Sequence, residues 1–447
     1  MAQRLASFPA AKPESAGLDG KVLEEFRRAL RKETSELKSL AGAAHIVLHR
    51  GRCVFSCSGG TADGELGTRF TPRTLCRLHG ATKPLVAAAF LTLVDAGKCR
   101  LSDPVAKYVP FPGHVLRGCA NAKAGKRGGG GASLRSRRLA RAAPPARLRD
   151  LLTNTAGLAN YEDPKKNARV LRLVKRGAVK DLAGLCGAIS EEPLHSRPRR
   201  RYDYSFAFDV LGRVCEVVSG KPLDRFMEED FFKPLGMLDT HFRVPPRKRR
   251  RTAVLYNARR NGKRQREEGV TTAYTLTPYK HPLAAPGILS GGGGVLSYND
   301  AGLWGTAEDC ARFCQMLLSG GLAPSGRRVL CSATTKVLWE DALGRLGGRG
   351  GRLPGWHDQD GPGRGGWWDF RGLSLLHAFL DLDETPRSQG RPRRSRSMWF
   401  SGGGGAFWTI DGARGLVTVS FTQTFGGRAS EADGHGPLAY RVSPYVS

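Results

Sequence analysis

The 447-residue chain has no apolar run long enough to cross a bilayer. Residues 84–94 (Pro-Leu-Val-Ala-Ala-Ala-Phe-Leu-Thr-Leu-Val) carry no charge, but eleven residues fall well short of the length a membrane helix needs. The first residues, Met-Ala-Gln-Arg-Leu-Ala-Ser-Phe-Pro, lack an extended apolar core, so no signal peptide is expected. Ten cysteines include no Cys-x-x-Cys knuckle. Cys53 and Cys57 are four apart in a predicted strand, and Cys310 and Cys314 are four apart on a predicted helix. That spacing builds neither a zinc site nor a disulfide framework, and no metal or cofactor is expected. Free thiols without a secretion signal point to a reducing, cytoplasmic location. Acidic residues are scarce, 40 against 71 Lys and Arg, which leaves a formal net charge of +31.

Glycine, arginine and proline are abundant, and their excess is uneven. It concentrates in Arg117–Arg141, Arg197–Arg201, Arg247–Arg266, Gly344–Gly366 and Pro386–Arg396. Glycine and like-charge clusters bury little apolar surface, so these segments are expected to be mobile surface loops. Pro246-Arg-Lys-Arg-Arg-Arg251, followed by Arg259-Arg260 and Lys263-Arg264, has the density of a nuclear-import or anion-binding patch. It would attract nucleic acid or anionic lipid without selectivity. Interleaved aromatics and base-reading motifs are missing, so specific recognition has no support. Compositional drift is the competing explanation, because Gly, Ala, Arg and Pro codons are all GC-rich.

A chain of this length is large for one core, and two lobes are expected. The pattern predicts a helix over 18–40, a strand pair over 43–58 broken at Arg50-Gly51, a central helix over 82–96, helices over 146–280, and a long helix over 306–318. Residues 372–382 and 398–424 alternate or run apolar with Gly breaks, as strands of an antiparallel sheet do.

The central helix begins in Thr74-Leu-Cys-Arg-Leu-His-Gly-Ala-Thr-Lys-Pro84. Pro84 suits a first turn and Gly97 a helix end, and an all-apolar helix belongs in a core. Gly80 and Lys83, three apart, share one face at the N-terminal end, where free N–H groups and the helix dipole favour an anion. Lys83 equally suits the simple role of a lysine snorkelling out of a core helix.

This strip resembles the active-site strip of the serine β-lactamase-related family, which includes class C β-lactamase, esterase-like and penicillin-binding-protein-like members. There Ser-x-x-Lys opens the buried helix, and Gly80 stands at the nucleophile's position. The resemblance continues in order through Lys98–Pro110, Arg149–Leu158 (Asn154 and Ala156 in a Leu-Leu-Thr-His-Thr-Ser-Gly-Leu signature), Tyr202–Phe242, Trp304–Phe313 with Met316–Gly321, and Phe407–Asp411 with Thr422-Gln423. It spans roughly residues 13–425 and implies an α/β fold: an antiparallel sheet flanked by helices with an inserted helical lobe.

The implied layout is a tail over 1–12, an α/β lobe from 13–115 and 281–428, a basic insertion over 116–145, a helical lobe over 146–280 and a tail over 429–447. Lys83 and Tyr204 fall on the family's acid/base positions. Tyr204 begins Tyr-x-Asn, here Tyr204-Ser205-Phe206. The far-wall motif aligns on Phe400-Ser401-Gly402. Gly80, Phe400 and Gly402 would line the substrate side, and Phe400 offers no cation for a β-lactam carboxylate.

Without an oxygen at 80 no acyl-enzyme can form there. The implied function is a non-hydrolytic member that keeps the inter-lobe cleft for a small-molecule or peptide ligand. The alternative is a weak esterase or amidase in which Lys83 and Tyr204 activate water. Ser35-Glu-Leu-Lys38 also fits Ser-x-x-Lys but lies on a charged surface helix and reads as accidental. His79 beside the vacant position more simply satisfies a local hydrogen bond.

Overall fold

The computed structural model describes residues 8–116, 139–141, 144–160, 166–261, 274–279, 302–343, 372–382 and 395–426. Much of the Gly/Arg-rich sequence, including 117–138, 344–371 and 383–394, lies outside the described residues, as do residues 1–7 and 427–447.

Helix α1 (Gly20–Arg31) starts where the Asp19 side chain accepts from the Lys21 N–H. Leu23, Phe26 and Leu30 fall three and four apart, so one stripe of α1 is buried. The predicted helix over 18–40 continues as a wider turn, Lys32–Glu36, in which the Thr34 hydroxyl donates to the Leu30 carbonyl at 2.9 Å.

Behind α1 lies an eight-stranded, wholly antiparallel sheet. Its strands are β1 (Gly42–His49), β2 (Arg52–Asp63), β3 (Thr68–Arg69), β4 (Gly372–Leu373), β5 (Phe379–Leu382), β6 (Ser395–Gly402), β7 (Ala406–Asp411) and β8 (Leu416–Thr422). They are ordered β4-β5-β6-β7-β8-β1-β2-β3, so both ends of the chain meet in one sheet, where β1 pairs with β8. Along β1 the residues alternate between two cores. Ala43 and Val47 join α1 and Phe55, whereas Ala44, Ile46 and Leu48 face the main core. His45 is buried on the α1 side, edge-on to Phe26 at 4.6 Å, with Nδ1 2.6 Å from the Ser420 hydroxyl.

The other face carries the helices. Helix α2 (Thr82–Asp95) is buried almost all round, as its apolar run predicts. It packs against α6 (Ala207–Ser219), which also meets α3 (Leu148–Leu152) and α5 (Leu182–Ser190), while α4 (Ala168–Lys175) lies against α5. Helix α7 (Ala307–Leu318), capped by the Thr306 hydroxyl, crosses the back of β1, β7 and β8. The fold is therefore α/β, an antiparallel sheet flanked by helices. One stretch departs from the expected helices over 146–280. Tyr256–Arg260 and Tyr274–Pro278 are strands, and the first pairs in parallel with Thr424–Gly426 beyond β8. No helix among the described residues is long and apolar enough to cross a membrane.

The expectation of free basic loops needs correction at two places. Pro246–Arg251 forms a 3₁₀ turn, and two of its cations are pinned. Asp239 accepts from both Arg251 nitrogens at 3.0 and 2.7 Å, and Lys248 reaches the same carboxylate at 2.8 Å. Burial alone would raise that carboxyl, but the bonds from Arg251 and Lys248 outweigh it and hold it well below the usual range. Arg199 and Arg201 likewise lie beside Asp150 and Asp203, at 3.8 and 3.0 Å. Arg247, Arg249 and Arg250 remain exposed.

The two sets of cations should separate in mutants. Replacing Arg247, Arg249 and Arg250 with serine should leave the thermal midpoint unchanged and weaken any salt-sensitive binding of nucleic acid. Arg251→Gln should instead cost on the order of 1–3 kcal/mol, read as a lower urea midpoint, because it strips charged hydrogen bonds from Asp239. Equal effects of both changes on stability would contradict this division.

Candidate functional site

The strip before α2 is held from three sides. The Leu78 N–H donates to the Leu303 carbonyl, and the Leu303 N–H donates back to the Thr82 hydroxyl at 3.0 Å. The Gln423 side chain accepts from the Arg77 N–H and donates to the Arg77 and Thr422 carbonyls. Arg77 lies over the Trp304 ring at 4.2 Å. His79–Ala81 then forms one 3₁₀ turn that runs straight into α2. The Thr82 hydroxyl is thus occupied by Leu303, and His79 begins the turn with a positive φ of 45°.

Against this turn lies the end of β6. A Cβ on Gly402 would sit 2.0 Å from the Leu78 carbonyl oxygen and 3.0 Å from the Ala81 nitrogen, so only glycine fits. That contact delivers Phe400 and Ser401 to Gly80. A Cβ built on Gly80 would lie 3.3 Å from the Tyr204 hydroxyl oxygen, 3.5 Å from the Ser401 carbonyl oxygen and 3.6 Å from Phe400 Cε1. Gly80 is not among the positive-φ glycines, so its backbone places no bar on a side chain. The five residues singled out in the sequence, Gly80, Lys83, Tyr204, Phe400 and Gly402, are therefore neighbours. Ser35 and Lys38 lie elsewhere, exposed on the turn after α1.

Lys83 is 2% exposed. Its ammonium lies 4.3 Å from the Tyr204 ring centroid and 5.8 Å from that of Phe208. Among the described residues no carboxylate pairs with it. The aromatic faces stabilise the charge through the ring quadrupole instead.

One functional candidate carried no signal in the sequence. His377, in the turn between β4 and β5, is fully buried among the rings of Tyr202, Tyr204, Phe208 and Phe400, at 5.8, 5.9, 5.2 and 6.1 Å. Its Nδ1 lies 3.2 Å from the Leu152 carbonyl, which can only accept, so Nδ1 carries the proton. Nε2 then accepts from the Tyr202 hydroxyl at 3.1 Å and faces the Asn154 amide nitrogen at 3.4 Å. Burial first, and the Lys83 cation second, push His377 down to about 3, against a small upward pull from the Leu152 carbonyl. It is neutral near pH 7. No motif marks a lone histidine in Leu-Leu-His-Ala-Phe, so only tertiary contact reveals it.

The described residues hold no cluster of three or more His, Cys, Asp or Glu able to bind a metal ion. A cavity of about 550 Å³, lined by Cys99, Arg100, Arg147 and Arg149 among others, opens at the opposite end of α2 from Gly80 and takes no part in this site.

A buried helix opening onto the end of an antiparallel sheet strand, with Lys83 and Tyr204 beside the turn, is the architecture of β-lactamase and penicillin-binding-protein-like hydrolases. The Beta-lactamase family model matches residues 28–439, and the chain belongs to that family. Protein Rv1367c of Mycobacterium tuberculosis is 30% identical over 396 residues, covering 88% of each chain. Esterase EstB of Burkholderia gladioli is 27% identical over 433 residues, covering 92% of each. Among solved structures, simvastatin synthase (LovD) from Aspergillus terreus superposes with a TM-score of 0.67 at 19% identity, covering 98% of this chain and 97% of that one. EstCE1, described as a hydrolase with promiscuous acyltransferase activity, gives 0.64 at 20% identity, covering 95% of this chain and 99% of that one.

The buried histidines set an acid limit on the fold. His45 is also pushed down to about 3 by burial. Both folded-state values lie below the unfolded 6.5, so the unfolded chain binds more protons, and stability falls as pH drops below about 6.5. Each histidine should contribute a slope approaching about 1.4 kcal/mol per pH unit. Urea titrations from about pH 7 to about pH 5 should show this loss, and His45→Gln or His377→Gln should each reduce the slope by about one proton. A slope unchanged in both variants would refute the assignment.

Proposed function

We propose that this protein is a non-hydrolytic member of its family that keeps the cleft as a binding site for an uncharged acyl or aromatic small molecule, or a peptide bearing such a group. The single observation that supports this most is at position 80. Glycine offers no oxygen to acylate, and the Tyr204 hydroxyl lies 3.3 Å from where a Cβ would stand. Phe400 stacks face to face on Phe379 at 5.4 Å, so the wall opposite Lys83 is aromatic. Such a wall favours apolar ligands and gives a carboxylate no partner. The exposed arginines of 247–250 would add unselective attraction for anionic partners, in the cytoplasm or, through the same tract, in the nucleus.

A second reading keeps hydrolysis. The Lys83 ammonium lies 4.3 Å from the Tyr204 ring centroid, and the Tyr204 hydroxyl faces Gly80, so the pair would be within reach of a water in the space left by Gly80. Direct attack by water forgoes the covalent intermediate that splits the reaction into easier steps. This weighs against it.

The two readings separate on one set of assays. Wild-type protein should resist labelling by fluorescent penicillin and by a fluorophosphonate, and should leave short-chain p-nitrophenyl esters at the buffer rate. Gly80→Ser should fold, with Tyr204 giving way by a few tenths of an ångström. It should release a burst of about one equivalent of p-nitrophenol per chain, followed by slow turnover. Ester turnover by wild type that Lys83→Ala abolishes would establish the water mechanism. A stoichiometric adduct on any cleft serine of wild type would overturn the non-hydrolytic reading.

A further inference from the structure

The residues around His377 form a relay from the sheet to the tyrosine loop. On the sheet side, the turn that carries His377 is closed by its own N–H donating to the Ser374 carbonyl at 2.9 Å and by the Ser374 N–H donating to the Ala378 carbonyl at 2.8 Å. His377 enters that turn with φ 60°, a left-handed conformation that non-glycine residues rarely adopt. Such geometry needs support from its surroundings, and the imidazole supplies it. Its Nδ1–H donates to Leu152 at the end of α3, and Nε2 faces Asn154 and Tyr202.

Asn154 carries the relay onward. It too is left-handed, at φ 52°, and its carbonyl accepts from the Asp203 N–H at 3.0 Å. Its side-chain Oδ1 accepts from both the N–H and the hydroxyl of Ser205, at 3.3 and 3.1 Å. Residues 203 and 205 bracket Tyr204. The amide can hold Ser205 in this way only with Oδ1 turned toward it, which leaves Nδ2 to face an acceptor. The Tyr202 hydroxyl oxygen, hydrogen-bonded to Asn154, presents that acceptor and itself donates to Nε2 of the neutral His377 tautomer. The ring of His377 also touches the Tyr204 ring directly.

The pairing answers a departure in the sequence. Asn154 stands where the resembling signature Leu-Leu-Thr-His-Thr-Ser-Gly-Leu has histidine, and here an imidazole arrives at Asn154 from position 377 instead.

We infer that His377 is the positioning residue of this cleft: by orienting Asn154 and Tyr202 from the sheet side, it fixes the Tyr204 hydroxyl beside Gly80. Asn154 and His377 then act as one coupled pair. The inference rests on the cleft described above as the binding site, but its test needs no ligand and no activity.

Fluorine NMR of protein grown with meta-fluorotyrosine reads the position of Tyr204 directly, and Tyr204→Phe identifies its signal among the ten tyrosines. His377→Gln and Asn154→Ala should each move or broaden that signal, and the double variant should add nothing further, as expected for two parts of one network. His45→Gln removes an equally buried histidine from the other core and should leave the signal in place. A folded His377→Gln protein with an unmoved Tyr204 signal would overturn the inference, as would an equal shift from His45→Gln. Should His377→Gln fail to fold, Asn154→Ala cuts the relay from the far side, and an unmoved signal there is equally fatal. In the Gly80→Ser background, His377→Gln should slow acylation by about tenfold or more while KM stays within about twofold, as loss of orientation rather than of binding predicts. An inert Gly80→Ser protein would count against the acyl-transfer geometry of the cleft, and the tyrosine signal would still decide the role of His377.

Discussion

The end of strand β6 lies so close to the turn before α2 that no side chain fits between them. Gly402 faces the Leu78 carbonyl at a separation a Cβ would reduce to 2.0 Å, and this close approach brings the end of an interior strand to the head of the buried helix. Everything at the site follows from it. Ser401 and Phe400, one and two residues earlier on the same strand, are thereby set against Gly80. The strip itself cannot drift, because Gln423 and Leu303 hold its backbone groups and the Thr82 hydroxyl accepts from the Leu303 N–H. Two elements from distant parts of the chain are locked in register before any side chain of the cleft is considered.

Within that frame the electrostatics are unusual. A buried lysine is costly unless its charge is compensated. Here the compensation comes from the Tyr204 and Phe208 rings rather than from a described carboxylate. A second cation nearby would undo it, and His377 is kept neutral by burial and by Lys83 itself. The site therefore holds one positive charge in an aromatic box, with the Tyr204 hydroxyl next to a position that carries no side chain. An acyl-enzyme at this position would need an oxygen that glycine lacks.

The large positive charge sits differently from the site. Some of it is structural: Arg251 and Lys248 converge on Asp239, and the turn they occupy is anchored by that carboxylate. Arg247, Arg249 and Arg250 on the same turn are exposed. A run of six residues thus holds both paired and exposed cations, and charge density alone could not have divided them.

Much of the fold was legible from periodicity and order. The apolar run after Pro84 could only be a buried helix, and the Arg50-Gly51 break and alternating C-terminal segments had to be strands of an antiparallel sheet. The convergence of Gly80, Lys83, Tyr204, Phe400 and Gly402 was likewise expected, because ordered motifs along the chain resembled one family. Other features were hidden. The strands at Tyr256–Arg260 and Tyr274–Pro278 were expected to be helical, since strand identity there comes from pairing with Thr424–Gly426 far along the chain. The anchoring of Arg251 depends on Asp239 reaching it through space, and His377 joins the site only because a left-handed turn aims it between two tyrosines. Local sequence determined the buried helix after Pro84, the strands of the main antiparallel sheet and which position lacks an oxygen, because those depend on spacing and side-chain chemistry. Only the tertiary structure decided which charges are paired, which histidine is neutral and what holds Tyr204 in place, because burial and partners arise when residues hundreds of positions apart are packed together.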